Sequence, residues 1–326
     1  MNTPQTVMSG MRPTGALHLG HWEGALKSWL ALQEKHPCFF SIVDWHALTS
    51  EYENPEKIKP NIREILLDWL SVGIDPESSC IYLQSAVPEI AELFLLLGML
   101  TPLGWLERVP TFKDQQQQLK DRDLNTFGFL GYPLLQAVDI AIVGGTIVPV
   151  GEDQVYHIEL AREILRRFNN LYGETFAEPK EFLTPIPRLR GLDGRKMSKS
   201  YNNSLFLSDE AEVIRAKIKP MVTDVRRQRR NDPGVPEDCP VFSFQRAFSS
   251  SEQVVGIAAE CRRAGIGCLD CKAILIDNLN SFLQPFREKR KCFADRDLEE
   301  ILRRGNLRAR EKAGQTMENV RARLNL

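Results

Sequence analysis

Ser9-Gly10-Met11-Arg12-Pro13-Thr14-Gly15-Ala16-Leu17-His18-Leu19-Gly20-His21 is the stretch on which the fold turns. Val7-Met8-Ser9 reads as the end of a short strand, Gly10 to Gly15 as a Gly/Pro-rich turn, and a helix is predicted from about Gly20 to Glu34. A strand that runs through a turn into a helix N-terminus offers unpaired N–H groups and the positive end of a helix dipole, which together suit a phosphate. His18 and His21 stand three apart with Gly20 between them, so two imidazoles can reach a triphosphate while an adenine lies against backbone without a side chain. A helix-start loop carrying two surface histidines is the plainer reading of the same residues.

Outward from this stretch, strand-like and helix-like pieces alternate, which predicts an α/β fold with a parallel sheet. Cys38 to Asp44 is a continuous apolar run suited to a strand covered on both faces. Ile58, Ile62, Ile65, Leu66 and Leu70 recur at helical spacing between Pro55 and Val72. Cys80 to Gln84 and Ile147 to Val150 read as further strands, and Gln154 to Tyr172 as a helix with Ile158, Ala161, Leu165 and Phe168 on one face. Past residue 200 the strand signals fade. Asp209–Ile218, Ser251–Ala264, Ile274–Arg290 and Leu298–Leu324 read as helices, so a domain change is expected near residues 201–208.

Composition sets outer bounds. The 326 residues suggest roughly two domains, and 43% apolar with 26% charged residues excludes long-range disorder. Lys plus Arg number 42 against 43 for Asp plus Glu, so a protein coated with basic groups is excluded, although a local basic face is not. The N-terminal residues lack the apolar core of a secretory signal, and the apolar stretch Leu93 to Leu106 is interrupted by Pro102 and too short to span a bilayer. An odd count of seven cysteines without an export signal points to a reducing, cytoplasmic setting. Cys38 and Cys80 fall in strand-like runs and read as core.

Lys196-Met197-Ser198-Lys199-Ser200, preceded by Gly191-Leu192-Asp193-Gly194-Arg195, is the second informative piece. Two lysines three apart on a Gly-flanked loop suit a departing pyrophosphate, because a point-charge ammonium can follow the phosphates as charge builds. A solvated basic loop is the alternative. Taken as a pair, His18-Leu19-Gly20-His21 and Lys196 to Ser200 resemble the HIGH and KMSKS motifs of class I aminoacyl-tRNA synthetases. The stretches Phe40 to Ala47, Gly131 to Ile140 and Val148 to Leu160 resemble the tryptophanyl-tRNA synthetases in particular, and the resemblance runs over about residues 7–230.

That resemblance implies a Rossmann-like doubly wound catalytic domain over 1–203, which binds ATP and tryptophan. It further implies an all-helical, tRNA anticodon-binding domain over 204–326. The implied activity is formation of tryptophanyl-adenylate from tryptophan and ATP, then transfer to the 3′ end of tRNA(Trp), with Mg²⁺ on the phosphates, in a cytoplasmic homodimer. His18, His21, Lys196 and Lys199 take the catalytic positions. Arg12, Pro13, Thr14, Gly20, His21, Gly151, Glu152, Asp153, Leu189, Lys196, Met197, Ser198, Lys199 and Ser200 match ATP-contacting positions. Met8, His46, Tyr132, Gln136, Asp139 and Gln154 match tryptophan-contacting ones, with Asp139 reading the indole nitrogen. Gln136 and Asp139 lie three apart on one predicted helix face, and a buried carboxylate that loses its donor partner can discriminate by roughly 10⁴–10⁵. A Gln-x-x-Asp pair also suits a phenol, so a tyrosine-activating relative is the alternative substrate reading. Lys113 reads as a lone phosphate-reaching or surface lysine.

Cys239, Cys261, Cys268 and Cys271 form a separate group, with Cys268-Leu269-Asp270-Cys271 a C-x-x-C pair and Cys239 followed by Pro240. One C-x-x-C plus two dispersed cysteines suits a four-thiolate iron–sulfur cluster better than zinc, which more often shows two such knuckles. The spacing resembles the [4Fe–4S] motif of a subset of tryptophanyl-tRNA synthetases; zinc or unligated thiols are the alternatives. Cys292 lies outside the pattern. Val225 to Arg230 and the series Arg303, Arg304, Arg308, Arg310, Lys312, Arg321 and Arg323 would suit an RNA backbone, or else are solvated helix charges. An iron–sulfur RNA-binding regulator with a degenerate synthetase domain is the alternative from another functional class.

Overall fold

The structure is a computed structural model that describes residues 5–110, 124–183 and 189–326. Lys113 lies outside these residues, as does the side chain of Ser200. Two compact units emerge, and neither is a single stretch of chain. The first comprises Met1–Gly15, Lys27–Pro185 and Phe293–Leu326; the second comprises Ala16–Leu26 and Ile186–Cys292. The linear division expected at 203/204 does not coincide with these units. The second motif folds with the helical unit rather than the sheet, and the last 34 residues (293–326) fold with the sheet rather than with the helices that precede them.

The first unit is built on five parallel strands, β1 (Val7–Met11), β2 (Cys38–Ile42), β3 (Ser79–Leu83), β4 (Ile147–Val150) and β5 (Lys180–Leu183), in the order β3-β2-β1-β4-β5. The order reverses at β1, so the crevice for a ligand opens where the chain leaves the carboxyl ends of β1 and β4. Alternate residues of β2 explain its unbroken apolar run. Phe40 stacks on Trp29 at 4.4 Å, with Trp69 edge-on to Trp29 at 5.1 Å, so the helices Lys27–Gln33 and Ile58–Val72 serve that face. Phe39 meets Tyr82 at 6.5 Å on the other face, in a core shared with the helices Glu89–Gly98, Tyr132–Ile142 and Val155–Tyr172. β5 carries no apolar signal of its own, since its residues are exposed or half-buried, and it exists by pairing with β4.

The last helix, Asp295–Leu324, solves the problem of the β3 edge. Asn306 Oδ1 accepts the Leu83 N–H at 2.9 Å, and Arg308 donates to the carbonyls of Pro76 and Ser79 at 3.2 and 3.3 Å. An edge that would otherwise offer its backbone to another chain is thus covered. The approach is close because residue 305 is glycine: a Cβ there would overlap the Ile81 carbonyl oxygen. Burial of Ala309, Ala313, Met317 and Val320 supplies most of the adhesion. The surrounding pairs Arg304–Glu77, Arg310–Glu89 and Arg321–Glu92 are solvent-screened surface contacts that add little to this adhesion.

The second unit holds the helices Ala211–Ile218, Pro240–Phe248, Ser251–Arg262 and Cys268–Arg290. The helix predicted from Gly20 to Glu34 is divided. Leu19–His21 is a single α-turn, Trp22–Leu26 is a π-turn, and the α-helix resumes at Lys27, where the units change. Trp22 anchors the short segment, its ring 5.3 Å from Phe282 and 5.2 Å from Phe286 of the Cys268–Arg290 helix.

Candidate active site

In the sheet unit, Asp139 is buried on the Tyr132–Ile142 helix and is surrounded by donors. His46 Nε2 lies 3.0 Å from its Oδ2, and Gln84 Nε2 donates to Oδ1 and Oδ2 at 2.8 and 2.9 Å. His46 belongs to the Asp44–Glu51 helix that follows β2, and Gln84 follows β3, so both reach Asp139 from carboxyl ends of the sheet. Tyr132 packs on His157 with ring centroids 5.5 Å apart. Burial first, then the positive potential of His46, pushes the His157 imidazole down to about 4, with Asp153 opposing. Gln136 and Gln154 are half-buried, and Met8 is buried in β1. Gly151 closes β4, Glu152 and Asp153 are exposed on the turn Glu152–Gln154, and Arg12 donates to Ser50 Oγ, with Pro13 buried and Thr14 exposed beside it.

In the helical unit the two lysine- and histidine-bearing motifs meet. Leu19 N–H donates to the Leu205 carbonyl at 2.8 Å, and Leu207 N–H to the Leu17 carbonyl at 2.9 Å, so the residues after Lys196–Ser200 pair directly with the first motif. Met197 is buried with its Sδ 3.6 Å from where a Gly20 Cβ would stand, and the same Cβ would press on the His18 ring at 2.9 Å. The rings of His18 and His21 are 3.8 Å apart. Burial, reinforced by the charge of Lys199, pushes His18 down to about 4. His21 is lowered well below its ordinary value by burial first, then by His18 and Lys199. Both imidazoles are therefore neutral near pH 7, so each can offer a ring N–H but no positive charge. His21 Nδ1 accepts the His18 backbone N–H at 3.1 Å, which leaves the proton of the neutral ring on Nε2.

Asn203 organises the lysine loop, and sequence reasoning missed it. Its Oδ1 accepts the Ser198 N–H at 2.8 Å, while its Nδ2 donates to the Lys196 carbonyl at 3.1 Å and to Asp193 at 2.8 Å. Gly191 makes room for this amide, since a Cβ there would overlap it. Lys196 is exposed, Lys199 opens the short turn Lys199–Tyr201, and Leu189 is buried at the start of the loop.

Four sulfurs converge elsewhere in the same unit. Cys239 caps the Pro240–Phe248 helix, Cys261 ends the Ser251–Arg262 helix, and Cys268 and Cys271 sit on the first turn of the next. All four line one cavity with Arg227, Pro236, Val241, Phe242, Ile257 and Ile266. Among the described residues no three His, Cys, Asp or Glu side chains are grouped closely enough to hold a single metal ion. The donor chemistry nevertheless fits a thiolate-ligated group: an all-sulfur set in an apolar shell, beside a buried cation. Arg227 holds Nη1 3.8 Å from Cys261 Sγ and donates through Nη2 to the Arg230 and Ile266 carbonyls at 2.9 and 2.5 Å. Burial pushes the Cys271 thiol up to about 11, the Gln245 hydrogen bond opposing and the other three sulfurs adding to the rise.

Residues 1–284 match the family model described as "tRNA synthetases class I (W and Y)". The tryptophan–tRNA ligase of Thermotoga maritima is 49% identical over 98% of this chain and 99% of its own length, and that of Aquifex aeolicus is 44% identical over 98% and 99%. The chain belongs to the class I tryptophanyl-tRNA synthetases. Among solved structures, the tryptophanyl-tRNA synthetase of Campylobacter jejuni, described as complexed with ADP and tryptophan, superposes with a TM-score of 0.89. Its sequence is 34% identical, and the match covers 99% of this chain and 100% of that one.

Much of the basic series on the last helix is drawn into contacts within the protein. Arg304, Arg308, Arg310 and Arg321 are engaged by the sheet unit, Arg323 donates to the Glu174 carbonyl at 3.2 Å, and Arg303 pairs with Glu300 at 2.7 Å. Of the run Val225–Arg230, Arg227 is buried at the cysteines and Arg226 pairs with Asp224 and Asp238. Gln84 was also missed in the sequence. Its one signal was position, a polar residue ending an apolar strand at the carboxyl edge of a parallel sheet.

Proposed function

We propose that in this tryptophan–tRNA ligase the residues around Asp139 select and hold tryptophan, Gly151 to Asp153 hold the ribose, and the residues around His18, His21, Lys196 and Lys199 stabilise the phosphates. The enzyme activates tryptophan with ATP and then esterifies tRNA(Trp). A tryptophan carboxylate oxygen bonds to the α-phosphorus in line, the bond from that phosphorus to the α,β-bridging oxygen breaks, and pyrophosphate leaves; Mg²⁺, when bound, would neutralise charge on the phosphates. A ribose hydroxyl oxygen at the tRNA 3′ end then bonds to the acyl carbon, the bond from that carbon to the phosphate oxygen breaks, and AMP leaves. No protein nucleophile is required, so positioning and charge stabilisation supply the acceleration.

The observation that carries this reading is the pairing of the first motif with the residues after Lys199, which sets His18, His21 and Lys199 within one another's fields. Lys196 and Lys199 supply the positive charge, and His21 contributes an Nε2–H donor. Asp139 accepts the indole N–H, Tyr132 and Gln154 hold the ammonium and carboxylate, and Gly151 to Asp153 hold the ribose. Arg12, Pro13, Thr14, Gly20, Leu189, Met197 and Ser198 complete the nucleotide contacts. The test is ATP–pyrophosphate exchange across aromatic amino acids: exchange with tryptophan alone supports the reading, and exchange with tyrosine at a comparable rate overturns the role given to Asp139.

The finer properties belong to the same proposal. Cys239, Cys261, Cys268 and Cys271 hold a [4Fe–4S] cluster, supported by the all-sulfur donor set and the neighbouring Arg227. Bound there, such a cluster would cross-link three segments, the starts of two helices and the end of the one between them, and contribute to folding rather than to the ligation step. Anaerobically purified protein should then carry about four irons and four sulfides per chain; zinc in their place would overturn this part. A homodimer is supported by the exposed apolar Leu95, Met99, Leu103 and Phe127 on the sheet unit. Among the described residues no helix is long and apolar enough to cross a membrane, and the cytoplasm is the proposed location.

A further inference from the structure

Gln84 is fully buried where the chain leaves β3. Its Oε1 accepts the N–H groups of Trp45 at 3.1 Å and His46 at 3.3 Å, donors in the first turn of the Asp44–Glu51 helix that have no carbonyl of their own to meet. With the oxygen committed to two backbone donors, the amide has one orientation, and the Nε2 group must face Asp139. It straddles both carboxylate oxygens at 2.8 and 2.9 Å, and His46 Nε2 adds a contact to Oδ2 at 3.0 Å. A carboxylate offers about four acceptor positions. Gln84 and His46 fill two on Oδ2 and one on Oδ1, so one position remains on Oδ1.

We propose that Gln84 is a specificity-determining positioning residue: it locks the Asp139 carboxylate so that its single open acceptor position meets the ring N–H of the substrate. The inference rests on the reading of Asp139 as the indole acceptor. A carboxylate free to rotate would offer its lone pairs to water or to a misplaced ligand. Held from behind by Gln84 and from the side by His46, it presents one acceptor in one direction, and an aromatic amino acid without a donor leaves that acceptor unpaired in a buried site. The same amide ties the end of β3 to the start of the Asp44–Glu51 helix, so the selecting carboxylate is referenced to the sheet rather than to a loop.

Two substitutions separate positioning from packing. Gln84→Glu keeps an oxygen for the Trp45 and His46 N–H groups but turns an acceptor toward Asp139; Gln84→Met keeps the volume and removes both functions. The measurement is pyrophosphate-exchange kcat/KM for tryptophan and for its benzothienyl isostere, in which sulfur replaces the ring N–H, with KM for ATP and thermal midpoint taken in parallel. Both variants are expected to lose about 10- to 100-fold in the tryptophan-to-isostere ratio, through KM for the amino acid, while KM for ATP stays within about twofold. A ratio within about twofold of the parent in the folded variants, whatever the midpoint does, overturns the proposal. Asp139→Ala is the control: if it collapses the ratio while the Gln84 variants do not, only the Gln84 inference falls. If Asp139→Ala leaves the ratio intact, the Asp139 reading falls with it.

Discussion

His157 is buried in the sheet unit with its proton affinity lowered to about 4, and this makes acid stability a quantitative test of the packing. The unfolded chain takes up a proton there near 6.5, so between pH 6.5 and 4 the unfolded state binds more protons than the native one. Stability contributed by the neutral ring is thus fully present above 6.5 and drains away as pH falls toward 4. Each unit corresponds to about 1.4 kcal/mol, so this one group accounts for about 3 kcal/mol over the whole window. His157→Gln removes the titration while leaving a polar side chain of similar reach. Urea denaturation of both proteins at pH 7, 6, 5 and 4.5 measures the difference, and carboxylate titrations common to both cancel. Tryptophan emission is a suitable probe, because Trp29, Trp45, Trp69 and Trp105 lie in the sheet unit and only Trp22 in the other. The parent should lose stability more steeply than the variant below pH 6.5, and the two should run parallel above it. Parallel curves throughout would show that His157 is not held neutral by burial, and the account of this pocket would fail.

Lys199→Ala should slow pyrophosphate exchange about 100- to 1,000-fold while tryptophan binding, measured by equilibrium dialysis, stays nearly unchanged; equal losses in both would contradict a phosphate role. Asn203→Ala leaves the Ser198 N–H and the Lys196 carbonyl without their partner. It should raise KM for ATP and expose the 191–203 loop to limited proteolysis, and unchanged cleavage and kinetics would remove Asn203 from the site. Gly305→Ala should destabilise the sheet unit by about 1–3 kcal/mol through overlap with the Ile81 carbonyl. A thermal midpoint equal to the parent's would show that the last helix does not seat so closely on β3.

What could be read from the chain alone followed from periodicity and from short contiguous motifs. The strands around Phe40, Cys80 and Val148, and the helices Ile58–Val72 and Val155–Tyr172, announce themselves because each buries its own apolar residues at a regular interval. Histidines three apart beside glycine and lysines three apart in a glycine-flanked loop carry their chemistry in a few residues, so no knowledge of the fold is needed to suspect them. Tertiary structure decided everything that depends on a partner distant in sequence. β5 is a strand only because β4 lies beside it, the His18 segment joins the helical unit through backbone bonds with Leu205 and Leu207 and the Trp22 ring against Phe282 and Phe286, and Gln84 and Asn203 acquire meaning only from the amides and carboxylates placed around them. The protonation state of the paired histidines was equally out of reach. Burial and a nearby ammonium set it, and both are properties of the packed molecule: the cost of charging a group depends on what surrounds it in space, which spacing along the chain does not encode.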